Sequence, residues 1–330
     1  MIFGETLRNR LNVLKALTVG LPLALLSQAA FAQDAVAAAA APAADAVKYV
    51  PMGPDMIKGQ PQPGAMWFQT QYSSVGHRAL WMNDVILTPV IIGIVVLVLI
   101  LLIYVMLRFN RRANPVPSKT SHNTLLEVLW TGVPILILVL IAVPSLGLLA
   151  QQYKSPPKNA VTVKATGYQW YWGYTYPDNG GFEVISNMLP EEQAKAKGFP
   201  SHLEADKRMV VPVGVPIRLQ TTGADVIHAF AVPSLWFKLD AVPGRVNERL
   251  LQIDEPGIYY GQCSELCGDR HGYMPIEVEA VPMDVFKAWV RAQAGGAIPG
   301  EAPPAAPAAA PAAGAAPAVA AAPAAAAPAA

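Results

Sequence analysis

Two long runs of apolar residues interrupt a chain that otherwise alternates short apolar and polar stretches. The first lies between Asp84 and Arg108, and the second, of similar length, follows Glu127; neither contains a charged residue. The first run is apolar on every face of a helix, and each run is at least as long as the ~20 residues that cross a bilayer. The pattern therefore predicts two membrane-spanning helices, at about 85–107 and 128–150.

The segment between the two runs is basic. It carries Arg108, Arg111, Arg112 and Lys119 and has no acidic residue before Glu127. Short loops rich in Lys and Arg remain on the cytoplasmic side of a membrane. The two helices are therefore predicted to form a hairpin whose turn is cytoplasmic and whose two flanks lie outside.

The N-terminus has the pattern of a secretory signal, predicted at residues 1–32. Basic residues precede an apolar stretch from Ala16 to Leu26, and Ala30–Phe31–Ala32 gives the small-x-small cleavage pattern. The alternative is a first transmembrane helix, but the stretch is short and contains Pro22. An Ala-, Pro- and Gly-rich stretch at 33–66 then predicts a flexible lead-in to the hairpin.

The hairpin unit is predicted at residues 67–158, and the pattern changes after it. From 159 to 294, short β-rich runs alternate with Pro, Gly and Asp, which is typical of an antiparallel sandwich or barrel. Helical spacing begins at Met283 and predicts a closing helix. Residues 295–330 are almost entirely Ala and Pro and predict a disordered tail.

Composition agrees with this division. The 330 residues are 53% hydrophobic and only 14% charged, against ~25% charged in an average soluble domain. The net charge of +1 argues against a nucleic-acid partner, which usually requires a basic excess. Between residues 160 and 296, however, there are 16 acidic and 12 basic residues, so the predicted β domain is mildly acidic.

The segment GQCSELCGDRHGYMP contains several residues that can bind a metal ion. Cys263, Cys267, His271 and Met274 are spaced by four, four and three residues, and His228 lies on an earlier predicted strand. Thiolates, imidazoles and a thioether form a soft donor set that suits copper, and a mononuclear blue-copper site needs only one thiolate. The second thiolate permits both sulfurs to bridge two ions, with one imidazole on each ion.

Two other interpretations use the same cysteines. A disulfide is possible in an exported domain, but it would leave His271 and Met274 unexplained. Zinc prefers Cys and His and rarely uses Met. His228 taken alone would be an ordinary core or surface histidine.

Several spaced motifs together resemble one family. Gly-Gln-Cys-Ser-Glu-Leu-Cys-Gly-x-x-His-x-x-Met, the earlier Asp-Val-Ile-His, YQWYWGY from Tyr168 and VPSLWFKLDAVPGR from Val232 closely resemble subunit II of haem–copper cytochrome c oxidases, over about Trp67 to Trp289. The resemblance implies a membrane α-hairpin of two transmembrane helices plus an all-β cupredoxin-like Greek-key sandwich with a dinuclear copper A centre. The implied ligands are the side chains of His228, Cys263, Cys267, His271 and Met274 and the main-chain carbonyl of Glu265.

The resemblance implies three further roles. The Glu265 carboxylate would bind magnesium shared with subunit I. Trp170 would receive electrons from cytochrome c, although core packing is the ordinary role of such an aromatic. Glu127 would stand at the mouth of a proton pathway, although an acid at a helix N-terminus is otherwise a favourable dipole partner.

Acidic residues are implied to dock basic cytochrome c. Asp225 matches an acid with this role in the family, but Ala224 stands where some members carry a second acid. Other candidates are Asp178, Glu183, Glu204 and Asp206, each of which could equally belong to a plain solvated face.

The function implied is that of an electron-accepting subunit in a proton-translocating oxidase of the bacterial inner membrane, with the copper domain in the periplasm. Its expected partners are oxidase subunits I and III, cytochrome c and membrane lipid. A quinol oxidase subunit would resemble a version without the copper ligands, and a haem-c fusion needs a Cys-x-x-Cys-His motif that two cysteines cannot supply here. A copper chaperone would not need the hairpin, and nitrous oxide reductase, which has a similar loop, is soluble.

Overall fold

The computed structural model describes residues 47–301. The predicted signal segment, much of the predicted lead-in and the tail beyond residue 301 lie outside the described residues. The helices are α1 (Ser74–Trp81), α2 (Thr88–Arg108), α3 (Thr124–Gln152), α4 (Glu191–Ala196) and α5 (Met283–Arg291).

Two helices are long and apolar enough to cross a membrane, as predicted. A π-helical turn, Met82–Leu87, joins α1 to α2, so the first helix runs unbroken from Ser74 to Arg108. Its N-terminus is capped by Ser73, whose hydroxyl accepts the Gly76 N–H. The helix therefore begins before the charge-free run, at the Ser73 cap of α1. Part of α1 is buried within the protein, whereas α2 exposes its apolar side chains.

The strands are β1 (Ile57–Gly59), β2 (Val161–Tyr168), β3 (Tyr171–Thr175), β4 (Glu183–Ser186), β5 (Met209–Pro212), β6 (Ile217–Gly223), β7 (His228–Val232), β8 (Phe237–Ala241), β9 (Asn247–Leu251), β10 (Gly257–Cys263) and β11 (Pro275–Val281). They form two sheets. One has the order β5-β11-β10-β7-β8, with β1 also on β10, and the other has the order β4-β3-β2-β6-β9.

The two sheets make a cupredoxin-like β-sandwich, which confirms the predicted fold class. Most neighbouring strands pair antiparallel, as expected, but β2 pairs parallel with β6, β5 with β11 and β1 with β10. Parallel neighbours need a crossover connection. Here each crossover contains other strands: between the two members of a parallel pair, the chain forms further strands, some of them in the opposite sheet.

The core fills the space between the sheets. Large side chains that alternate along the strands are fully buried there, among them Trp172, Tyr174, Phe230 and Tyr259. Each such side chain contributes roughly 1.5–3 kcal/mol by leaving water. This packing makes the sandwich a rigid support for the loops at its ends.

The lead-in departs from the predicted flexible stretch within its described part, residues 47–66. Strand β1 pairs parallel with the start of β10, and Ile57 lies opposite Ile258. Before it, the Tyr49 hydroxyl and the Met52 N–H donate to the Glu279 carboxylate, each at 3.1 Å. Residues 48–59, named here the N-terminal strap, are therefore part of the sandwich. The composition of the strap does not predict these contacts, because its partners lie about two hundred residues away in sequence.

The start of the predicted disordered tail is also packed. The Ala297 N–H donates to the Asn179 carbonyl at 2.9 Å, and the Glu301 carboxylate pairs with Lys287 and Arg291 on α5. The order thus extends at least to residue 301, because Ala297 bonds to the turn between β3 and β4 and the Glu301 carboxylate finds partners on the closing helix.

Candidate metal centre

Strand pairing brings the distant histidine to the cysteine loop. Cys263 ends β10 and lies opposite Phe230 on β7, and the Ser264 N–H donates to the Ala229 carbonyl at 3.0 Å. His228 begins β7. It therefore lies at the same end of the sandwich as the loop that joins β10 to β11.

The two cysteines face each other inside this end of the sandwich. Their sulfurs are 3.9 Å apart, and both residues are buried, with 5% and 4% of their surface exposed. Cys263 Sγ also lies 3.9 Å from Nδ1 of His228 and 3.4 Å from the carbonyl oxygen of Glu265. His228 is fully buried, whereas Glu265 is exposed.

The remaining two candidate ligands meet the second thiol. Cys267 Sγ lies 3.6 Å from His271 Nδ1 and 3.6 Å from Met274 Sδ. Met274 is fully buried at the start of β11, and His271 is half-buried. The structure thus brings together all six residues that the resemblance implied.

Ionisation of one thiol opposes ionisation of the other. Burial raises the pKa of Cys263, but its contacts with His228 and with neighbouring backbone outweigh burial and lower that pKa. Burial and the adjacent Cys263 raise the pKa of Cys267. The pair therefore favours one thiolate until a cation compensates the second negative charge.

The chemistry of the donor set fits soft metal ions. A sulfur separation of 3.9 Å is far beyond the ~2.05 Å of a disulfide, so both thiols are free in the structure. One tetrahedral zinc ion takes four ligands, whereas two sulfurs, two imidazole nitrogens, a thioether and a carbonyl converge here. The donor set exceeds what one zinc ion takes, and its sulfur and imidazole atoms suit copper.

Trp170 lies against the ligand loop. It occupies the turn between β2 and β3, and it is half-buried. Its indole N–H donates to the Cys267 carbonyl at 3.2 Å, and the Gln169 side-chain amide donates to the same oxygen at 2.9 Å. Gly268 has φ +118°, and a Cβ there would lie 3.0 Å from the Trp170 ring, so glycine permits this close approach.

The aromatic run around Trp170 divides between core and surface, because successive side chains of a strand point to opposite faces. Trp172 and Tyr174 are fully buried. Tyr168 and Tyr171 lie opposite each other on β2 and β3 and stack outside the core, with ring centroids 4.7 Å apart.

Two supporting residues were missed by sequence reasoning. A Cβ on Gly167 would lie 2.7 Å from Cδ2 of His228, so the imidazole packs directly on this strand backbone. Trp172 donates its indole N–H to the Met274 carbonyl at 3.3 Å. A glycine inside a strand often marks a close backbone approach, which was the available signal for Gly167.

The predicted docking acids lie in different parts of the sandwich domain. Glu204 is buried and paired with Arg208, so its assignment to a docking surface is wrong. Asp178 accepts the Thr162 N–H near the start of β2, roughly 20 Å of strand away from the Trp170 turn.

The other acids are nearer to solvent. Glu183 is exposed on β4, and its carboxylate lies beside Gly173 on the outer face of the five-stranded sheet. Asp206 accepts the Asn187 N–H at 2.7 Å. Asp225 contacts Nε2 of His228 at 2.9 Å, which places it beside the candidate ligands. Glu127 lies exposed in the first turn of α3.

Known proteins similar to this chain share both of its parts. A family model described as cytochrome c oxidase subunit II, periplasmic domain, matches residues 161–281, and one described as its transmembrane domain matches residues 61–148. The probable cytochrome c oxidase subunit 2 of Rickettsia bellii is 46% identical over 242 residues, which is 73% of this chain and 89% of the relative.

Two further proteins are similar to parts of the chain. Cytochrome c oxidase subunit 2 of Cereibacter sphaeroides is 42% identical over 256 residues, which is 73% of this chain and 84% of the relative. The crystal structure of the periplasmic domain of subunit II of cytochrome oxidase of Bradyrhizobium japonicum is 52% identical and covers 40% of this chain and 92% of its own, with a TM-score of 0.37.

Proposed function

Since the chain belongs to the family of cytochrome c oxidase subunit II, we propose that it accepts electrons from cytochrome c at a dinuclear copper A centre and passes them to haem in the catalytic subunit. The observation that carries this proposal is the convergence of two buried thiols on two imidazole Nδ1 atoms, a thioether and a carbonyl at one end of a rigid sandwich. Oxygen reduction and most proton translocation belong to the partner subunit.

The six residues would hold the metal pair in defined roles. The thiolates of Cys263 and Cys267 and the Nδ1 atoms of His228 and His271 would hold the pair, with Met274 and the Glu265 carbonyl as further donors. When bound, such a copper pair would supply one-electron redox chemistry, with the charge shared over both ions. Because the donors sit on packed strand ends and on a loop tied to β7, the protein resists rearrangement when that charge changes.

Trp170 is the proposed residue through which electrons arrive. Its indole contacts the ligand loop at the Cys267 carbonyl, while the residue remains half exposed. A basic cytochrome c would be guided by the acidic excess of the outer domain, in which 16 acids face 12 bases between residues 160 and 296. Glu183 and Asp206 are exposed and would contribute to docking. Asp178 lies beside the start of β2, at the opposite end of that strand from Trp170.

The strand order supports the proposed topology. Strand β1 precedes the hairpin and β2 follows it, yet both belong to one sandwich. The two ends of the hairpin must therefore emerge on the same side of the membrane, which requires an even number of spans. Together with the basic turn near Arg111, this supports the proposal that the sandwich lies in the periplasm of a bacterial inner membrane, after removal of residues 1–32.

The interfaces with other subunits are proposed at two acids. The exposed Glu265 side chain would contribute to a magnesium site shared with subunit I, while its carbonyl faces the thiols. Glu127, in the first turn of α3, would supply a proton pathway of the catalytic subunit from the cytoplasmic side. The exposed apolar faces of α2 and α3 would meet lipid and oxidase subunits I and III.

The test is the copper signal of the purified oxidase complex. A mixed-valence pair gives seven copper hyperfine lines in electron paramagnetic resonance, and Cys263→Ser should abolish both this pattern and cytochrome c oxidation while the hairpin still assembles. Ser264→Ala, one residue along the same exposed loop, is the matched control and should retain both. Four lines from a single copper in the unmodified complex would overturn the dinuclear proposal.

A further inference from the structure

Asp225 is occupied by contacts that differ from those of a docking acid. It lies in the turn between β6 and β7, and each of its oxygens is used. Oδ1 lies 2.9 Å from Nε2 of His228 and accepts the Val226 N–H at 2.6 Å. Oδ2 accepts the Gln169 N–H at 2.7 Å. One carboxylate thus contacts a candidate copper ligand, its own turn and the turn that carries Trp170.

The contact with His228 selects one form of the imidazole. A carboxylate accepts hydrogen bonds, so Nε2 of His228 carries the proton and donates it to Asp225. Nδ1, which faces Cys263 at 3.9 Å, is then left with its lone pair directed toward the thiols. The nitrogen that binds metal is set by the hydrogen bond that the other nitrogen makes. Gly167 supports the same ring from below, because it leaves no Cβ between the imidazole and β2.

The contact with Gln169 reaches the other side of the site. The backbone N–H of Gln169 donates to Asp225, and the side-chain amide of Gln169 donates to the Cys267 carbonyl at 2.9 Å. The next residue, Trp170, donates to that same carbonyl. A continuous set of hydrogen bonds therefore runs from His228 through Asp225 and Gln169 to the second cysteine.

We propose that Asp225 is a positioning residue, which fixes the ring of His228 and holds the Gln169–Trp170 turn against the ligand loop. This role rests on the copper function proposed above and gives Asp225 a place in the site itself, in addition to any contact that it makes with a docked cytochrome. Both oxygens are engaged by donors of this chain, although the residue itself is exposed. A bound cytochrome would thus meet a carboxylate already committed to three N–H groups.

Asp225→Asn is the sharpest test because it keeps the size of the side chain. Its amide oxygen can accept from one side, but its NH₂ group must then face either the Gln169 N–H or the donors on Oδ1, and two donors repel. Loss of such an outer hydrogen bond to a metal-binding histidine weakens metal retention or activity by about 10- to 100-fold. In the purified oxidase, copper loss to a chelator should therefore be at least about tenfold faster, and the hyperfine pattern should change.

The kinetic readout separates positioning from docking. A positioning role predicts a lower kcat for cytochrome c oxidation, whereas a docking role alone would raise KM and weaken its dependence on salt and leave kcat and the copper spectrum unchanged. Glu192→Gln, which removes one negative charge from exposed α4, is the control for net charge and should leave spectrum, copper retention and kcat unaltered. Asp225→Ala should behave like Asp225→Asn.

Two results would overturn the proposal. One is an Asp225→Asn oxidase with a native copper spectrum and native copper retention. The other is a raised KM with a weaker salt dependence as the sole effect, which would assign Asp225 to docking. Failure of the copper function itself is visible separately, because the unmodified complex would then lack the seven-line pattern before any substitution is made.

Discussion

At the scale of single residues, the absence of a side chain matters as much as the ligands. The ring of His228 rests on Gly167, where a Cβ would lie 2.7 to 2.9 Å from three ring and Cβ atoms of the histidine. Such contacts are tighter than packed interiors accept, so Gly167→Ala must move the imidazole or the strand. We expect this variant to change the copper hyperfine pattern and to destabilise the chain by about 1–3 kcal/mol.

The matched control lies on the ligand loop. Gly272, next to His271, has no atom within 4 Å of the position of an added Cβ. Gly272→Ala should therefore keep the native copper spectrum, measured beside Gly167→Ala in the same oxidase preparation. Identical spectra for Gly167→Ala and the unmodified complex would contradict the packing argument.

A second residue-scale feature is a buried acid outside the copper site. Glu277 on β11 is fully buried, accepts the Ala205 N–H at 2.9 Å and contacts the guanidinium of Arg208, which also pairs with Glu204 and Glu279. Three carboxylates surround one cation. Burial raises the pKa of Glu277 to about 9, although Arg208 acts in the opposite direction.

This raised pKa predicts how stability depends on pH. Between pH 4.5, the ordinary value for this carboxyl group, and about pH 9, folded Glu277 holds its proton while the unfolded chain has lost it. The unfolded state then binds fewer protons, so the free energy of unfolding falls as pH rises, by up to about 1.4 kcal/mol per pH unit. Glu277→Gln, which is neutral in both states, should remove this slope.

The measurement is denaturant unfolding of the metal-free, detergent-solubilised chain between pH 5 and pH 9. Glu277→Gln should gain stability over the unmodified chain progressively as pH rises, with the smallest difference near pH 5. Parallel curves for the two proteins would show that Glu277 is ionised in the folded state.

At the scale of elements, sequence reasoning succeeded where the information was local. Cys263, Cys267, His271 and Met274 lie within twelve residues, so their spacing identified the loop, and the family suggested by the motifs is confirmed. The charge-free runs predicted both apolar helices for the same reason.

The contacts that were missed join residues far apart in sequence. Asp225 reaches Gln169 across 56 positions, and Tyr49 reaches Glu279 across 230. Neither hydrogen bond has a periodic signature, because each depends on which strands become neighbours. Asp225 was therefore given a surface role, and the N-terminal strap was expected to be flexible.

The strap supplies the element-scale prediction. Tyr49→Phe removes the hydroxyl that donates to Glu279 and leaves that buried carboxylate with Met52 and Arg208. A hydrogen bond to a charged group contributes about 1.5–3 kcal/mol, so thermal unfolding should shift to lower temperature by a corresponding amount. Tyr171→Phe, on a half-exposed tyrosine that stacks on Tyr168, is the control and should change the midpoint little. Equal midpoints for Tyr49→Phe and the unmodified chain would mean that the strap contact contributes nothing.

At the scale of the whole molecule, the outer sandwich is interrupted by the membrane hairpin. Among the described residues, strand β1 precedes the two spans in sequence, and the other ten strands follow them. A domain defined as residues 159–294 therefore lacks the strap, its pairing with β10 and two of the donors to Glu279. The segment that precedes the first span is thus part of the folded outer sandwich.

This arrangement predicts that a soluble fragment of residues 159–301 is incomplete. Removing the strap leaves Glu279 without the Tyr49 and Met52 donors and uncovers one edge of β10, which together should destabilise the fragment by about 2 kcal/mol or more. Joining residues 48–60 to residue 159 through a flexible glycine–serine linker should restore that stability, because the strap can then reach its native strand. A linker that carries the same residues in scrambled order is the control, and denaturant unfolding of the three proteins decides the matter. If all three unfold at the same midpoint, the strap is only a passive connection, and the sandwich is complete without it.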